Sequence, residues 1–513
     1  MSGRFYITTP IYYPNAEPHL GHVYTTLAAD AVARFHRLAG DETWFLTGTD
    51  EHGIKMVKTA AAQNVEPKDL VEKIVPVFQN LWKEFEVSID DFIRTSSDRH
   101  KTAVSKIVEK LVASDDIYLG GYEGWYDEGQ EEFVTETEAK AAEYKSLVTK
   151  RPLVRYKEPT YFFRLKKYAP RILEYIEKNP QFIRPENRRN EVISKLKQGV
   201  EDLSISRATL KWGIPLPHDP GHVLYVWIDA LSNYITALGY PTSDQSLFEK
   251  FWPADVHLIG KEIMWFHTVY WPAILFSLDL PLPKVVFAHG WWTADGEKMG
   301  KTLKNFIDLT KLRALVKDYS LDALRFYLLR AAPFGNDLDF TDADFLKSFG
   351  ELSKVLGNCL NRIVKMVGRY RGGALPPADT TDTIDQGLVE HMNRLADQVT
   401  DAYNRLALQE CATLPIELAR ATNGFIEATA PFTLAKDPAK AGRLDTVLNL
   451  SAQAIYKSLV ALMPILPEKS KAGLAQLGID PAGKSFAELM SATIPSGQKF
   501  GEGTPLFPNI ETK

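Results

Sequence analysis

Phe5-Tyr6-Ile7-Thr8-Thr9, then Pro10 through Pro18, then His19-Leu20-Gly21-His22 heading a run that reaches Leu38, is the stretch that decides the fold. The first five residues are β-branched or aromatic and read as a strand, and the proline-bounded segment after them reads as a loop. From His19 to Leu38, the residues Leu20, Val23, Leu27, Ala31 and Phe35 fall near one face at helical spacing, and Ala39-Gly40 is a stop signal. Thr43-Trp44-Phe45-Leu46-Thr47 repeats the strand signal, Gly48-Thr49-Asp50 turns, and a second helix opens near Gly53. Strand, helix, strand, helix in that order predicts a parallel sheet with right-handed crossovers.

Working outward, the texture changes near residue 115. Tyr118 through Tyr126 mixes aromatics with four glycines or acidic breaks, and amphipathic helices follow over 165–178 and 186–199. This α+β stretch reads as an insertion into the parallel pattern, which resumes with strand-like Val223 to Ile228, Val256 to Ile259 and Lys284 to Ala288. From about residue 320 to 475 helical periodicity dominates and strand signals vanish, which predicts an all-α bundle. The expected organisation is a Rossmann-type α/β parallel sheet split into 1–115 and 226–345 by an insertion over 116–225, then a helical bundle over 346–480 and a Gly- and Pro-rich irregular tail over 481–513.

Composition bounds the function classes without choosing among them. Apolar residues make up 45% and charged residues 24% of 513, an ordinary globular balance. No apolar run reaches the roughly 18 residues of a membrane span. Met1-Ser2-Gly3-Arg4 leads straight into the first strand without the basic, apolar and small-residue parts of a secretory signal, so cytoplasm is the expected compartment. Cys359 and Cys411, the only two cysteines, exclude a disulfide framework and a four-thiolate zinc site, and read as small apolar residues on helices. A net charge of −5 argues only weakly against a chain coated in nucleic acid and leaves room for local basic patches that grip RNA.

Two segments carry chemistry. Pro18-His19-Leu20-Gly21-His22 stands where the first strand hands over to the first helix, the edge at which doubly wound sheets bind ligands. A helix start offers free N–H groups and partial positive charge to phosphates, and two histidines three positions apart both face that site. Gly21 leaves room for a flat ring against the backbone. Taken singly, the same residues also fit an ordinary helix start with two surface histidines. Far downstream, Lys298-Met299-Gly300-Lys301-Thr302 follows the polar turn Asp295-Gly296-Glu297; two lysines about one glycine suit a loop that closes on a triphosphate, and equally suit a solvated surface loop.

Together the two segments resemble the HIGH and KMSKS signatures of class I aminoacyl-tRNA synthetases, the second departing from the family at Gly300 and Thr302 while keeping both lysines. The stretches Thr8 to Asn15, Phe45 to Gly53, Trp212 to Pro215, Tyr225 to Leu231, His257 to Ile263 and Ala288 to Trp291 resemble methionyl-tRNA synthetases of bacterial type, and the resemblance runs over about residues 4–440. It implies ATP as substrate, with Mg2+ on the triphosphate, and methionine and tRNA(Met) as partners. It also implies that His19, Gly21, His22, Lys261, Glu262, His289, Lys298 and Lys301 serve ATP, with His19, His22, Lys298 and Lys301 as the catalytic set. Methionine is then held by Ile11, Tyr13, Trp227, Ala230, Leu231, Tyr234, Ile263 and His267, with Asp50 on its ammonium group. Leu231 stands where the family commonly has proline.

Further expectations follow from the resemblance. Relatives often carry zinc knuckles near 116–160, but this stretch has neither Cys nor His, so a zinc-free insertion packed on Tyr118, Tyr122, Trp125, Tyr126 and Phe133 is expected. Asn358 and Arg362, one helical turn apart, resemble the anticodon-reading pattern, and Phe432 after Ala430-Pro431 stands where the family often has tryptophan. No dimerising barrel follows the helices, so a monomer is expected. The rivals are a sister class I enzyme for another amino acid, an RNA-binding paralogue without catalysis, and a nucleotidyltransferase that ignores RNA.

Overall fold

The computed structural model describes residues 3–128, 132–134, 136–147, 150–294, 296–298 and 307–507. The chain divides into two units: Arg4–Ala29 with Thr43–Gly290, and Asp30–Glu42 with Trp291 onward and Gly3.

The first unit is built on a six-stranded sheet. Its strands are β1 (Arg4–Tyr12), β2 (Glu42–Thr49), β3 (Asp91–Arg94), β4 (Ile183–Arg184), β5 (Val256–Gly260) and β6 (Val285–His289), in the order β3-β2-β1-β5-β6-β4. The pairs β2–β3, β1–β5, β5–β6 and β6–β4 are parallel, with Ile7 opposite Val256 and Ile259 opposite Ala288. Phe5 to Thr9 and all of β5 are buried, as a sheet covered by helices on both faces requires. Tyr6, Leu46, Ile93, Ile259 and Val286 pack in one core with Val104, Ile107 and Leu111 of the helix Asp98–Ala113 and with Ile235 and Trp271. The order reverses between β1 and β5, and the ends of these two strands frame the crevice in which open α/β sheets bind ligands.

The insertion holds an antiparallel four-stranded sheet, with Ile117–Asp127 between Glu132–Val134 and Val154–Phe163, and Leu203–Ser204 beyond. Tyr118 stacks on Phe162 at 5.5 Å, Trp125 meets Tyr144 at 4.7 Å and donates to Glu136 at 2.8 Å, and Tyr126 is buried. The side chains of Tyr122 and Phe133 lie outside the described ones. Among the described residues, no group of three or more His, Cys, Asp or Glu is arranged to hold a metal ion, and no helix is long and apolar enough to cross a membrane.

The helices Leu20–Ala39, Leu165–Lys178 and Glu186–Lys197 form where periodicity places them. Val223 to Ile228 does not form one strand: the strand Asp219–Leu224 ends, and the helix Val226–Thr236 begins two residues on. This helix is buried nearly all round, so its β-branched and aromatic start looks like a strand in sequence. Strand β4 is only two residues long and carries no pattern of its own.

In the second unit the helices Leu321–Arg330, Asn358–Arg371, Thr383–Asn404, Leu408–Thr429 and Ala441–Leu462 form the bundle. Cys359 and Cys411 are buried on two of them. Asp30 and Arg325, both with fully buried side chains, pair at 2.6 Å, and Arg325 also donates to the carbonyls of Pro464 and Ile465. Phe35 stacks on Tyr403 at 4.0 Å, an arrangement worth about 0.5–1.5 kcal/mol beyond area burial. A short strand, Leu338–Phe340, in the stretch read as almost entirely helical, pairs in parallel with Trp292–Ala294; three residues are too few to register as alternation. The tail is docked rather than loose: the N–H of Leu375 donates to the carbonyl of Gln498 at 2.9 Å, the N–H of Gly497 donates to that of Leu375 at 2.8 Å, Lys457 donates to the carbonyl of Ala492 at 2.8 Å, and Ser353 donates to that of Phe507 at 3.0 Å.

Candidate active site

At the end of β1 the chain runs through Ile11 and Tyr13 to the first turn of the helix Leu20–Ala39. The two histidines there are half-buried, with ring centroids 3.9 Å apart. The backbone N–H of His19 donates to Nδ1 of His22 at 3.1 Å, and the N–H of Gly21 donates to Nδ1 of His19 at 3.1 Å. Each ring therefore accepts at Nδ1, and in the neutral tautomer each carries its proton on Nε2, as a donor. Burial, followed by the charges of His19 and Lys55, pushes the His22 imidazole well below its usual range, so the ring is neutral at physiological pH. A Cβ on Gly21 would come within 3.0 Å of the His19 ring, so the glycine is what lets that ring fold back over the helix start.

His289, at the end of β6, lies edge-on to Tyr24 at 5.1 Å. Its Nδ1–H donates to the carbonyl of Gly290 at 2.8 Å, and Nε2 meets the Thr25 hydroxyl at 2.7 Å. Both ring nitrogens are thus engaged with the protein, and burial lowers the imidazole below its ordinary value. At the end of β5, the turn Lys261–Ile263 leaves Lys261 half-buried and Glu262 exposed; a Cβ on Gly260 would sit 2.6 Å from both Glu262 carboxylate oxygens, so that side chain bends back over the strand end.

The turn after β2 is held from beneath. Glu51 is fully buried and its carboxylate accepts from Thr49 at 2.6 Å, from Arg94 at 2.9 and 3.1 Å and from Ser96. The Trp212 indole donates to the carbonyl of Glu51 at 2.6 Å. Asp50, itself buried, donates its N–H to the carbonyl of Tyr12 at 2.9 Å, which brings it beside the end of β1. His52 then donates to Asp229 on the helix Val226–Thr236. In the first turn of the next helix, Ile54–Ala62, the Lys55 ammonium stands 4.8 Å from the centre of the Tyr13 ring, a cation–π contact.

The residues expected around methionine divide by exposure. Ile11, Tyr13, Trp227 and Ile263 pack against the core yet remain half-exposed, so they have surface to offer a ligand. Ala230, Leu231, Tyr234 and His267 are buried behind them. Trp227 is stacked on Phe266 at 3.7 Å with the ring planes nearly parallel, and its indole Nε1 is buried without a hydrogen-bond partner. The His267 Nδ1–H donates to the carbonyl of Ile263 at 2.9 Å, and Nε2 accepts from the Tyr234 hydroxyl at 2.7 Å. His267 sits in a π-helical turn, Phe266–Tyr270, an irregularity that concentrates at functional sites.

Burial lowers His267 to about 4, against the weaker opposite pull of the Ile263 carbonyl. A histidine depressed in the fold stabilises it above its unfolded value near 6.5, and that contribution is lost as pH falls toward the folded value. The stability margin of the parent over His267→Gln should therefore shrink by about 2 kcal/mol between pH 7 and pH 5. Urea unfolding of both proteins at the two pH values measures it; a margin independent of pH would contradict the neutral buried ring.

Lys298 closes the short strand Glu297–Lys298; its side chain, and all of Met299 to Thr302 including Lys301, fall outside the described residues. In the second unit, Asn358 is exposed on the first turn of its helix, directly after a second π-helical turn, Leu352–Gly357. Arg362, one turn on and half-buried, reaches Asn423 at 3.5 Å, and Phe432 is 56% exposed. Sequence reasoning missed Phe266, Lys55, Glu51, Arg94 and the set His52, His100 and Asp229. The available signals were the acidic pair in Asp50-Glu51-His52 directly after a strand, and the lone carboxylate of Asp229 in an apolar run.

A family model described as tRNA synthetases class I (M) matches residues 5–143 and 140–364. The methionine–tRNA ligase of Halalkalibacterium halodurans is 45% identical over 99% of this chain and 79% of its own length. That of Bacillus subtilis is 44% identical over 100% of this chain and 79% of its own. Among solved structures, Mycobacterium tuberculosis methionyl-tRNA synthetase in complex with methionyl-adenylate superposes with a TM-score of 0.94 at 37% identity, over 99% of this chain and 100% of that one.

Proposed function

The chain belongs to the class I tRNA synthetases of the methionine kind, and from that premise we infer that it is a methionine–tRNA ligase: it activates methionine with ATP to methionyl-adenylate and transfers the methionyl group to the 3′ end of tRNA(Met). The observation that carries the reading is the convergence at one switch point of the His19–His22 helix start, the Asp50 turn and the half-exposed wall of Ile11, Tyr13, Trp227 and Ile263. The relative that superposes on this chain holds methionyl-adenylate, the intermediate such a crevice is suited to.

A methionine carboxylate oxygen attacks the α-phosphorus of ATP, the bond to pyrophosphate breaks, and methionyl-adenylate remains. A terminal ribose hydroxyl of the tRNA then attacks the carbonyl carbon and AMP leaves. No protein atom is bonded to substrate at any stage, so positioning and charge stabilisation do the work. The Nε2–H groups of His19 and His22 donate to phosphate oxygens, and Gly21 lets the nucleotide come close. Lys298 and Lys301 neutralise the departing pyrophosphate, with Mg2+ accompanying the triphosphate. Lys261 and Glu262 serve the nucleotide, and His289 backs the helix start through Thr25. Asp50 takes the ammonium group, and the apolar wall with Ala230, Leu231, Tyr234 and His267 behind it takes the thioether chain. Asn358, Arg362 and Phe432 meet the anticodon. The enzyme works as a cytoplasmic monomer with an insertion that needs no zinc.

Pyrophosphate exchange into ATP, run with one amino acid at a time and no tRNA, tests this. Exchange with methionine alone is expected; exchange with another amino acid would move the chain to a sister specificity, and none at all would remove the adenylation reading.

A further inference from the structure

Three elements of the first unit meet at one buried carboxylate. Asp229 is 1% exposed; its Oδ2 accepts from Nδ1–H of His52 at 2.6 Å and its Oδ1 from Nε2–H of His100 at 2.7 Å. Nδ1 of His100 accepts from the Thr236 hydroxyl at 2.7 Å, so its proton is fixed on Nε2. His52 belongs to the turn after β2, two residues from Asp50. His100 lies on the helix Asp98–Ala113, and Asp229 on the helix that also carries Trp227, Ala230, Leu231 and Tyr234. Burial works against ionisation of Asp229, yet the two imidazoles hold its carboxyl below the ordinary value.

An ion buried in this way is a poor source of stability, because the desolvation of both partners offsets most of their attraction. What it does impose is geometry, since a carboxylate shared between two short hydrogen bonds tolerates little displacement of either donor.

We propose that Asp229 is a positioning residue for methionine: through His52 and His100 it fixes the spacing between the Asp50 turn, which takes the ammonium group, and the Trp227–Tyr234 helix, which walls the side chain. This rests on the methionine-activating function inferred above. A short amino acid held at both ends tolerates little change in that span, and a displacement on the order of 1 Å lowers productive binding about a hundredfold. ATP is held by the other side of the crevice, at the helix start after β1 and the turn after β5, and does not depend on the span.

The test is exchange kinetics on Asp229→Asn, His52→Ala and His52→Asn, with active sites counted by the methionyl-adenylate burst. Asparagine at 229 offers one acceptor oxygen where two N–H donors point. Asparagine at 52 keeps an N–H where Nδ1–H stood, and alanine does not. The methionine KM is expected to rise tenfold or more in Asp229→Asn and His52→Ala, with the ATP KM within twofold of the parent and His52→Asn close to it. If the variants only lose active fraction with both KM values unchanged, or if both KM values rise together, the carboxylate is merely structural and the proposal falls. Should Asp229→Asn fail to fold, the alanine and asparagine variants at 52 decide alone. The parent is measured alongside: absence of methionine-dependent exchange there would instead overturn the functional reading.

Discussion

Changing His22 to alanine is expected to slow methionine-dependent exchange about 10²–10³-fold, the usual loss when a preorganised donor to a developing charge is removed, with little change in the methionine KM. The geometry sharpens this into a test of one atom. Nδ1 of His22 is occupied by the backbone N–H of His19, so only the opposite edge of the ring faces the crevice. Asparagine restores the acceptor at the δ position but places nothing at the ε position. Glutamine does the reverse, carrying an amide N–H near where Nε2–H stands. His22→Gln should therefore keep activity within about tenfold of the parent, and His22→Asn should be nearly as poor as alanine. Recovery by asparagine and not by glutamine would mean that the ring matters for the helix start rather than for phosphate.

Arg325→Met is expected to destabilise the helical unit by about 3–5 kcal/mol, the range for removing one partner of a buried ion pair. Arg325 is fully buried and donates to Asp30 at 2.6 Å, and to the carbonyls of Ile465 and Pro464 at 3.0 and 3.2 Å. Asp30 also accepts from Arg34 at 2.7 Å, but that guanidinium is partly solvated and compensates less. Methionine fills much of the arginine volume, so the loss measures charge and hydrogen bonding more than a cavity. The double change Asp30→Leu with Arg325→Met should recover most of it. Denaturant unfolding followed on the bundle reads both values; a cost under about 1 kcal/mol for the single change would show that the carboxylate is neutralised by other means.

The sequence makes the local parts of this molecule plain and the long-range parts obscure. Strands β1, β2, β5 and β6 and the helices Leu20–Ala39, Leu165–Lys178 and Glu186–Lys197 are legible because each carries its own apolar period. The His19–His22 pair is legible because strand end, proline and helix start lie within a few residues of one another. Val226 to Ile228 misleads because a helix buried on all sides has no polar face to mark its period. The wall proposed for methionine draws on residues 11–13, 227–234 and 263–267, and only the resemblance gathers them. Asp229, His52 and His100 are separated by up to 177 residues, and nothing local to any of them announces the others. The role of Lys298 and Lys301 rests on the family pattern alone.

The two cysteines bear on how this protein can be watched at work. Both thiols are closed off inside helices, and burial raises them, Cys359 to about 12, so neither presents a thiolate to solvent. The chain is in effect silent toward maleimides and mild oxidants without any engineering. A single cysteine introduced on the open surface would carry a fluorophore or spin label with no competing site, and the binding of tRNA could be followed optically on the otherwise unaltered enzyme.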